Sequence, residues 1–177
     1  MTHYWTAGLH AASVNELCRR VGISKPGLYR EFGGEDGLMD AALECYRGQA
    51  VLPLLALMAE DRPFVETFDR CLAAMTQDDK RPPGCLFTRM RLDRGHLGPQ
   101  TRDRLESVEH ERLRAFEVFF VRARDRNEAA SHICPAFAAE YVDAQLTLLL
   151  TRMVMGDPAA AVEETARLSL EPLRATK

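Results

Sequence analysis

Residues 13–33, SVNELCRRVGISKPGLYREFG, predict two short helices joined by a tight turn. Ser13 is suited to cap the first helix, with Glu16 three residues later completing a capping box, and Ser24 is suited to cap the second. Gly22 stands where the chain must turn sharply. Paired helices of this kind commonly place the second one in a groove of DNA. The segment therefore predicts a helix-turn-helix, which needs further helices to bury its apolar side.

The rest of the chain also has a helical pattern, because apolar residues recur at intervals of three and four and no segment alternates with a period of two. Pro53 is expected to kink or end part of the helix in which it lies. The fold class is all-α, with a helix-turn-helix head over residues 1–47 and a helical body over residues 48–177. The longer helices are predicted over residues 35–58, from 63 onward, and over 85–93, 99–126, 135–155 and 157–173.

Charge, apolar runs and cysteine usage limit the classes of protein open to this chain. A formal net charge of −3 gives no overall indication of a nucleic-acid partner. The first residues do not show a basic start followed by an apolar core, so secretion is not expected. The most apolar run, residues 146–150, is far too short to span a bilayer. Five cysteines at wide, irregular spacing predict buried thiols in a reducing cytoplasm, with a redox-sensing cysteine as the alternative. We expect a cytoplasmic protein with no membrane partner, no metal and no cofactor.

One cluster resembles the ligands of a metalloenzyme. Glu106, Glu109, His110 and Glu111 lie together on one predicted helix. A di-iron site needs Glu-x-x-His on two helices, whereas Glu106 and His110 are spaced by four and the sequence holds no second copy. No serine or cysteine nucleophile has a visible base, and there is no glycine-rich phosphate loop. We therefore expect a binding protein and not an enzyme.

The stretch GLHAASVNELCRRVGISKPGLYREFG, followed by EDGLMDAALECYR, resembles the DNA-binding head of the TetR (tetracycline-repressor) family of bacterial transcription regulators. The motif PPGCLF also resembles a stretch found in many members. The positions that fit the family pattern in order are Gly8, Ser13, Val14, Leu17, Gly22, Ile23, Ser24, Leu28, Tyr29 and Phe32.

This resemblance implies a homodimer, a regulator and most simply a repressor, whose two heads contact successive major grooves of a palindromic double-stranded operator. A small effector bound in each body would change the separation of the heads and release the DNA. The alternative is a dimeric small-molecule-binding protein of the same fold that has lost operator binding. The residues predicted to contact DNA are Ser13, Ser24, Lys25, Pro26, Gly27, Tyr29 and Arg30.

The core of the head is expected to contain Leu17, Val21, Ile23 and Leu28, which leaves the charged side chains of the second helix facing outward. For Tyr29, packing with a solvated hydroxyl is the alternative to a DNA contact.

The head departs from the family pattern in its charge. Glu31 and Glu35 stand where neutral or basic residues are usual, and residues 1–47 hold five Lys or Arg against six Asp or Glu, a net charge of −1. Neutralisation of phosphates supplies most non-specific affinity, so weaker DNA binding is expected than for a basic head.

The first helix of the family pattern is shortened, because residues 1–5 can supply only its last turn. Tyr4, Trp5 and Leu9 are the apolar residues available there, and they are expected to pack against the helix-turn-helix and the start of the next helix. A start codon assigned too far downstream or missing upstream residues would explain the short helix, and a genuinely reduced head is the alternative.

The body is expected to hold the effector and the dimer interface. An effector cavity for a small, mostly apolar molecule is predicted among Phe68, Phe87, Met90, Phe116, Phe119, Phe137, Tyr141 and Gln145, with a closed core as the alternative. The helix over 135–155 is apolar on two sides, so one side is expected to meet a partner unless it is simply a central core helix. The predicted interface residues are Val142, Leu146, Leu149, Met153, Val162, Ala166 and Leu170.

Overall fold

A computed structural model describes residues 1–9, 13–77 and 82–175. These residues form no β-strand, and their only pairing of strand type is a single bridge between Ala129 and Arg174. The all-α fold class is confirmed. The described α-helices are α1 (Thr2–Ala7), α2 (Val14–Val21), α3 (Lys25–Phe32), α4 (Glu35–Tyr46), α5 (Leu52–Ala59), α6 (Phe64–Thr76), α7 (Leu86–Leu92), α8 (Pro99–Asp125), α9 (Pro135–Val154) and α10 (Ala159–Leu170).

The chain divides into two compact units. The first consists of Met1–Gln49 and Cys85–Val108, and the second of Ala50–Gly84 and Glu109–Lys177. The first unit therefore contains a segment that the sequence analysis assigned to the body. Its attachment depends on contacts between residues far apart in the sequence, such as the hydrogen bond of 3.0 Å that the Tyr46 hydroxyl donates to Cys85 Sγ. No sequence pattern reveals such pairs.

The two helices of the helix-turn-helix are capped by the serines that the sequence predicts. The Ser13 hydroxyl accepts a hydrogen bond from the Glu16 amide at 3.3 Å, and the Ser24 hydroxyl accepts one from the Gly27 amide at 3.1 Å. Gly22 ends α2 in the left-handed conformation at φ 71°, which glycine adopts without a steric penalty. The start and end of both helices are thus determined within the segment itself.

The core of the helix-turn-helix is smaller than expected. Val14, Cys18 and Leu28 are buried together. Val21 and Ile23, expected in this core, are 65% and 39% exposed. The expectation was wrong for these two because they lie at the end of α2 and in the turn, on a side that no described residue covers.

The opening helix α1 is supported inside the first unit. Tyr4, Trp5 and Leu9 are buried as expected. The Trp5 ring meets the Tyr46 ring of α4 edge-on, with centroids 4.8 Å apart, and α1 also contacts α7. The support from α7 was not predicted, because α7 lies about 80 residues further along the chain.

The helix predicted over 35–58 is interrupted before its proline. Residues Arg47–Val51 form a π-helical segment between α4 and α5. Pro53 has no N–H to donate to the Gln49 carbonyl, and its ring would clash with that carbonyl in a regular α-helix. The interruption therefore falls in the turn that precedes Pro53.

The second unit is built around α8, α9 and α6. Its main core contains Phe64, Phe116, Phe119 and Phe120, with Val142 and Leu146 from α9. A smaller cluster joins Leu72, Leu149, Val162 and Ala166. Within the part of the chain that the structure describes, no helix is both long and apolar enough to cross a membrane.

Candidate nucleic-acid interface

Helix α3 presents a polar and aromatic face to solvent. Lys25, Pro26, Tyr29 and Arg30 are exposed, while Leu28 on the opposite side is buried. The Lys25 ammonium lies over the Tyr29 ring, 5.8 Å from its centroid. This arrangement favours an outward role for Tyr29, whose ring is held beside a cation without being buried.

The serine residues of the predicted contact set are used as caps. Ser13 and Ser24 accept backbone N–H groups at the start of α2 and α3, and Gly27 is the donor to Ser24. A Cβ on Gly27 would come within 3.1 Å of the Ser24 hydroxyl oxygen, so a small residue suits this position. Caps of this kind fix the start of α3 and with it the direction of its outward side chains.

The two arginines at the end of α2 share one carboxylate of the same helix. The Glu16 carboxylate pairs with Arg19 and, at 3.1 Å, with Arg20. The hydrogen bond from Arg20 and the nearby charge of Arg19 lower the pKa of Glu16 below its usual value. The Glu16 side chain therefore binds these arginines and does not complete the expected capping box, in which it would accept the backbone N–H of Ser13. Among the described residues, Lys25 and Arg30 form no ion pair, which leaves them as the cations of α3 that can meet phosphates.

The residues proposed for an effector do not form one site. Phe68, Phe116 and Phe119 line an apolar cavity of about 20 Å³ in the second unit. Gln145 borders a neighbouring space of about 10 Å³, where it accepts a hydrogen bond of 3.0 Å from the Ser169 hydroxyl. Spaces of this size hold about one water molecule, so no ligand-sized cavity exists there.

Three other members of that set lie elsewhere. Phe87 and Met90 are fully buried in the first unit, and Phe137 is 61% exposed. Amphipathic spacing shows that a residue faces an interior without showing which interior, so it could not place these three residues relative to the others. Tyr141 is half-buried and packs against the main core of the second unit.

The residues predicted for the dimer interface are core residues of a single chain. Met153 is half-buried, and the other six are covered within the second unit: Val142, Leu146, Leu149, Val162, Ala166 and Leu170. Both sides of α9 are apolar, and α6 and α10 pack against the side that was expected to meet a partner.

The other apolar side of α9 is exposed to solvent. Phe137, Leu148 and Met155 are 61%, 46% and 75% exposed, and Leu168 on α10 is 67% exposed. Phe137 and Leu148 lie on one face of α9, and Met155 follows directly after the end of the helix. The unit thus has a row of apolar side chains on its surface.

The metal-like cluster does not come together. Glu106 pairs with Arg94, and no group of three or more His, Cys, Asp or Glu residues within the described ranges could hold a metal ion. Cys18, Cys71 and Cys85 are buried free thiols, and Cys45 and Cys134 are exposed. Burial raises the pKa of the Cys71 thiol to about 12, which keeps it protonated at neutral pH.

Together these features define an all-α protein with an N-terminal helix-turn-helix whose second helix is exposed. Residues 4–42 match the family model described as bacterial regulatory proteins, tetR family. This match includes both helices of the motif and most of α4. Over this segment the chain is similar to the tetR family.

Known proteins resemble the chain in sequence and in fold. It is 34% identical over 97 residues to the HTH-type transcriptional repressor BdcR of Escherichia coli K12, a match that covers 54% of this chain and 49% of that protein. The chain thus aligns with about half the length of that curated relative.

Two solved structures share the fold along nearly the whole chain. A TetR-family transcriptional regulator from Agrobacterium tumefaciens superposes with a TM-score of 0.85 at 15% identity, covering 98% of this chain and 93% of that one. A cysteine mutant of the TetR-family regulator CifR, complexed with 26-bp double-strand operator DNA, gives a TM-score of 0.81 at 22% identity, covering 96% and 90%.

Proposed function

We propose that this protein is a DNA-binding transcriptional regulator, acting as a repressor, and that it places α3 in the major groove of an operator. The observation that carries the proposal is the exposed face of α3, where Lys25, Tyr29 and Arg30 stand on a capped helix-turn-helix. The family, the name of the relative BdcR and the operator-bound structure of CifR support the same function. No enzymatic activity is proposed.

A gel-shift experiment with the DNA that flanks its own gene tests this function. We expect a discrete shifted band that unrelated DNA of the same length does not compete away. Equal, weak binding to both fragments, or none, would favour the alternative of a small-molecule-binding protein that has lost its operator.

Replacing Lys25 or Arg30 by alanine is expected to weaken operator binding. Each side chain that contacts a phosphate releases counterions, so its loss should reduce the slope of log affinity against log salt by about 1. The measurement is fluorescence anisotropy with labelled operator over a range of salt concentrations. Arg167→Ala, on the exposed side of α10, is the matched control and should leave the slope unchanged. An equal change in the control and the α3 variants would contradict the assignment.

We further propose a homodimer formed through the exposed apolar row of α9 and α10, not through the residues named from the sequence. Phe137, Leu148, Met155 and Leu168 supply the apolar surface for this contact. Apolar rows on paired helices suit a two-fold interface, because the same surface serves both protomers. Half-sites of a palindromic operator would then meet two heads.

Replacing Leu148 by arginine should convert the dimer to a monomer at micromolar concentration, because a charge would be buried in an apolar contact. Sedimentation velocity measures the result, and circular dichroism confirms that the helices remain. Leu92→Arg, at a position 84% exposed in the first unit, should leave the dimer intact. A monomeric unmodified protein, or a Leu148→Arg variant that still dimerises, would contradict this interface.

The small effector also belongs to this proposal. It is expected to be mostly apolar and to enter the second unit beside Phe68, Phe116 and Phe119, where side chains would have to move to enlarge a cavity of about 20 Å³. Gln145 and Ser169 in the neighbouring space could orient a polar group. Repeating the gel shift with small apolar compounds tests whether any of them releases the DNA.

A further inference from the structure

Three carboxylates line one face of α4 at the corner next to the helix-turn-helix. Asp36, Asp40 and Glu44 follow each other at intervals of four residues, which places them on the same side of the helix. All three bind residues at the start of α8, within the first compact unit. The head is therefore joined to a segment that lies 60 to 65 residues further along the chain.

Asp36 caps the N-terminus of α8. Its carboxylate accepts the backbone N–H of Gln100 at 2.9 Å and that of Thr101 at 3.1 Å. It also accepts the Thr101 hydroxyl at 2.6 Å, and the Thr101 side chain is fully buried. Burial by itself would raise the pKa of Asp36, but the hydrogen bonds from Thr101 and Gln100 outweigh it and lower the pKa. Because this cap comes from α4, it holds the start of α4 and the start of α8 together.

Glycines allow close contacts at the start of α4 and at the start of α8. A Cβ on Gly98 would overlap the Asp36 carboxylate, and one on Gly37 would overlap the carbonyl oxygen of Phe32. Glycine at position 98 is therefore what allows the Asp36 carboxylate to reach the amides of α8, and glycine at position 37 allows the start of α4 to lie against the end of α3.

One turn further on, Arg104 makes a second attachment. Its guanidinium contacts both carboxylate oxygens of Asp40 and, at 2.7 Å, the carboxylate of Glu44. A two-pronged contact of this kind fixes direction as well as distance. The hydrogen bond with Asp40, together with the charges of Asp40 and Glu44, raises the pKa of Arg104 further above its usual value.

The attached part of α4 is directly connected to α3. Only Gly33 and Gly34 separate the two helices, and the Gly33 amide donates to the Tyr29 carbonyl at 2.9 Å. Leu38, one turn into α4, packs against the buried cluster of Val14, Cys18 and Leu28. Any rotation of the first turn of α4 must therefore move α3.

We propose that Asp36, Thr101 and Arg104 are positioning residues of the DNA-binding head, which hold α4 and through it α3 in the orientation that enters the groove. The DNA-binding unit accordingly extends beyond residues 1–47 and includes the first turns of α8. This inference rests on the proposed function. The three side chains act through α4 and α3 and do not need to touch DNA.

The experiment compares Thr101→Val and Arg104→Met with the unmodified full-length chain. Thr101→Val keeps the shape of the side chain and removes the hydroxyl that Asp36 accepts, while Thr101→Ser restores it. Thr147→Val is the matched control, since its hydroxyl donates only to the Asp143 carbonyl within α9. Operator affinity is measured by fluorescence anisotropy, and local opening by amide hydrogen exchange.

Both variants are expected to bind operator about tenfold more weakly, because Thr101→Val removes the hydrogen bond of the hydroxyl to Asp36 and Arg104→Met removes the two-pronged contact with Asp40. Peptides from residues 13–46 should exchange faster, while peptides from α9 and α10 stay protected. Thr101→Ser should recover the affinity, and Thr147→Val should change neither quantity. The exchange readout does not require DNA, so it tests the positioning role even if the unmodified chain fails to bind operator.

Two outcomes would overturn the inference. One is unchanged affinity and unchanged exchange over residues 13–46 in both variants. The other is faster exchange throughout both compact units in proportion to the loss of affinity, which would show that these contacts support folding as a whole. Absence of operator binding by the unmodified chain, with the expected local exchange in the variants, would instead reject the proposed function.

Discussion

Replacing Gly37 by alanine is expected to disorder the corner between α3 and α4 and to abolish tight operator binding. A Cβ at this position would overlap the Phe32 carbonyl oxygen, which is backbone and cannot move aside without displacing the end of α3. Overpacking of this kind costs about 1–3 kcal/mol or more. Gly37 has an ordinary helical backbone, for which alanine would otherwise be favourable by roughly 0.5–1 kcal/mol. The collision should therefore make Gly37→Ala destabilising, although replacing glycine by alanine usually stabilises a helix.

Hydrogen exchange of residues 13–46 and anisotropy with labelled operator measure the two effects of Gly37→Ala. Gly48→Ala is the matched control, because Gly48 lies in the π-helical segment with nothing within 4 Å of the added Cβ. That variant should be as stable as the unmodified chain or slightly more so. A Gly37→Ala protein with equal protection and equal affinity would show that the α3–α4 corner can relax.

Replacing Asp143 by alanine should strongly destabilise the second unit. Its carboxylate lies 2.6 Å from the Arg112 guanidinium, and the two side chains are 7% and 8% exposed. Arg112 also lies over the Phe116 ring, 5.7 Å from its centroid, beside the main core. Removing one partner of a buried ion pair costs about 3–5 kcal/mol, because the remaining charge stays in an apolar environment.

Urea unfolding followed by circular dichroism gives the change in the free energy of unfolding. Asp157→Ala is the control, since Asp157 pairs with Arg152 at 2.6 Å but is 33% exposed, and exposed pairs contribute about 0–1 kcal/mol. The double change Arg112→Met with Asp143→Leu should regain most of the lost stability, because apolar side chains of similar volume replace the pair. Similar losses for Asp143→Ala and Asp157→Ala would contradict the argument from burial.

The two apolar stripes of α9 show where prediction from sequence reaches its limit. Both the row containing Leu146 and the row containing Leu148 have helical spacing, so the sequence predicts burial of both sides. Which side faces the chain's own core depends on where α6 and α10 pack. Leu146 is 6% exposed and Leu148 is 46% exposed, a difference that periodicity cannot supply. Leu146→Arg is therefore expected to disrupt the core itself.

The helix-turn-helix could be predicted from the sequence alone, because the interactions that start and end its helices act within a few residues. Ser13 and Ser24 cap amides three residues away, and Gly22 reverses the chain with a backbone conformation of its own. The all-α class follows in the same way from spacings of three and four.

The contacts that hold this motif in place could not be predicted from the sequence and are seen only in the tertiary structure. Asp36 and Thr101 are 65 residues apart, and each has an ordinary helix-start pattern when taken alone. Their hydrogen bond exists because α4 and α8 pack together, with Gly98 permitting the close approach of the Asp36 carboxylate. Capping and periodicity concern energies within one segment, whereas the pairing of segments depends on packing between distant parts of the chain.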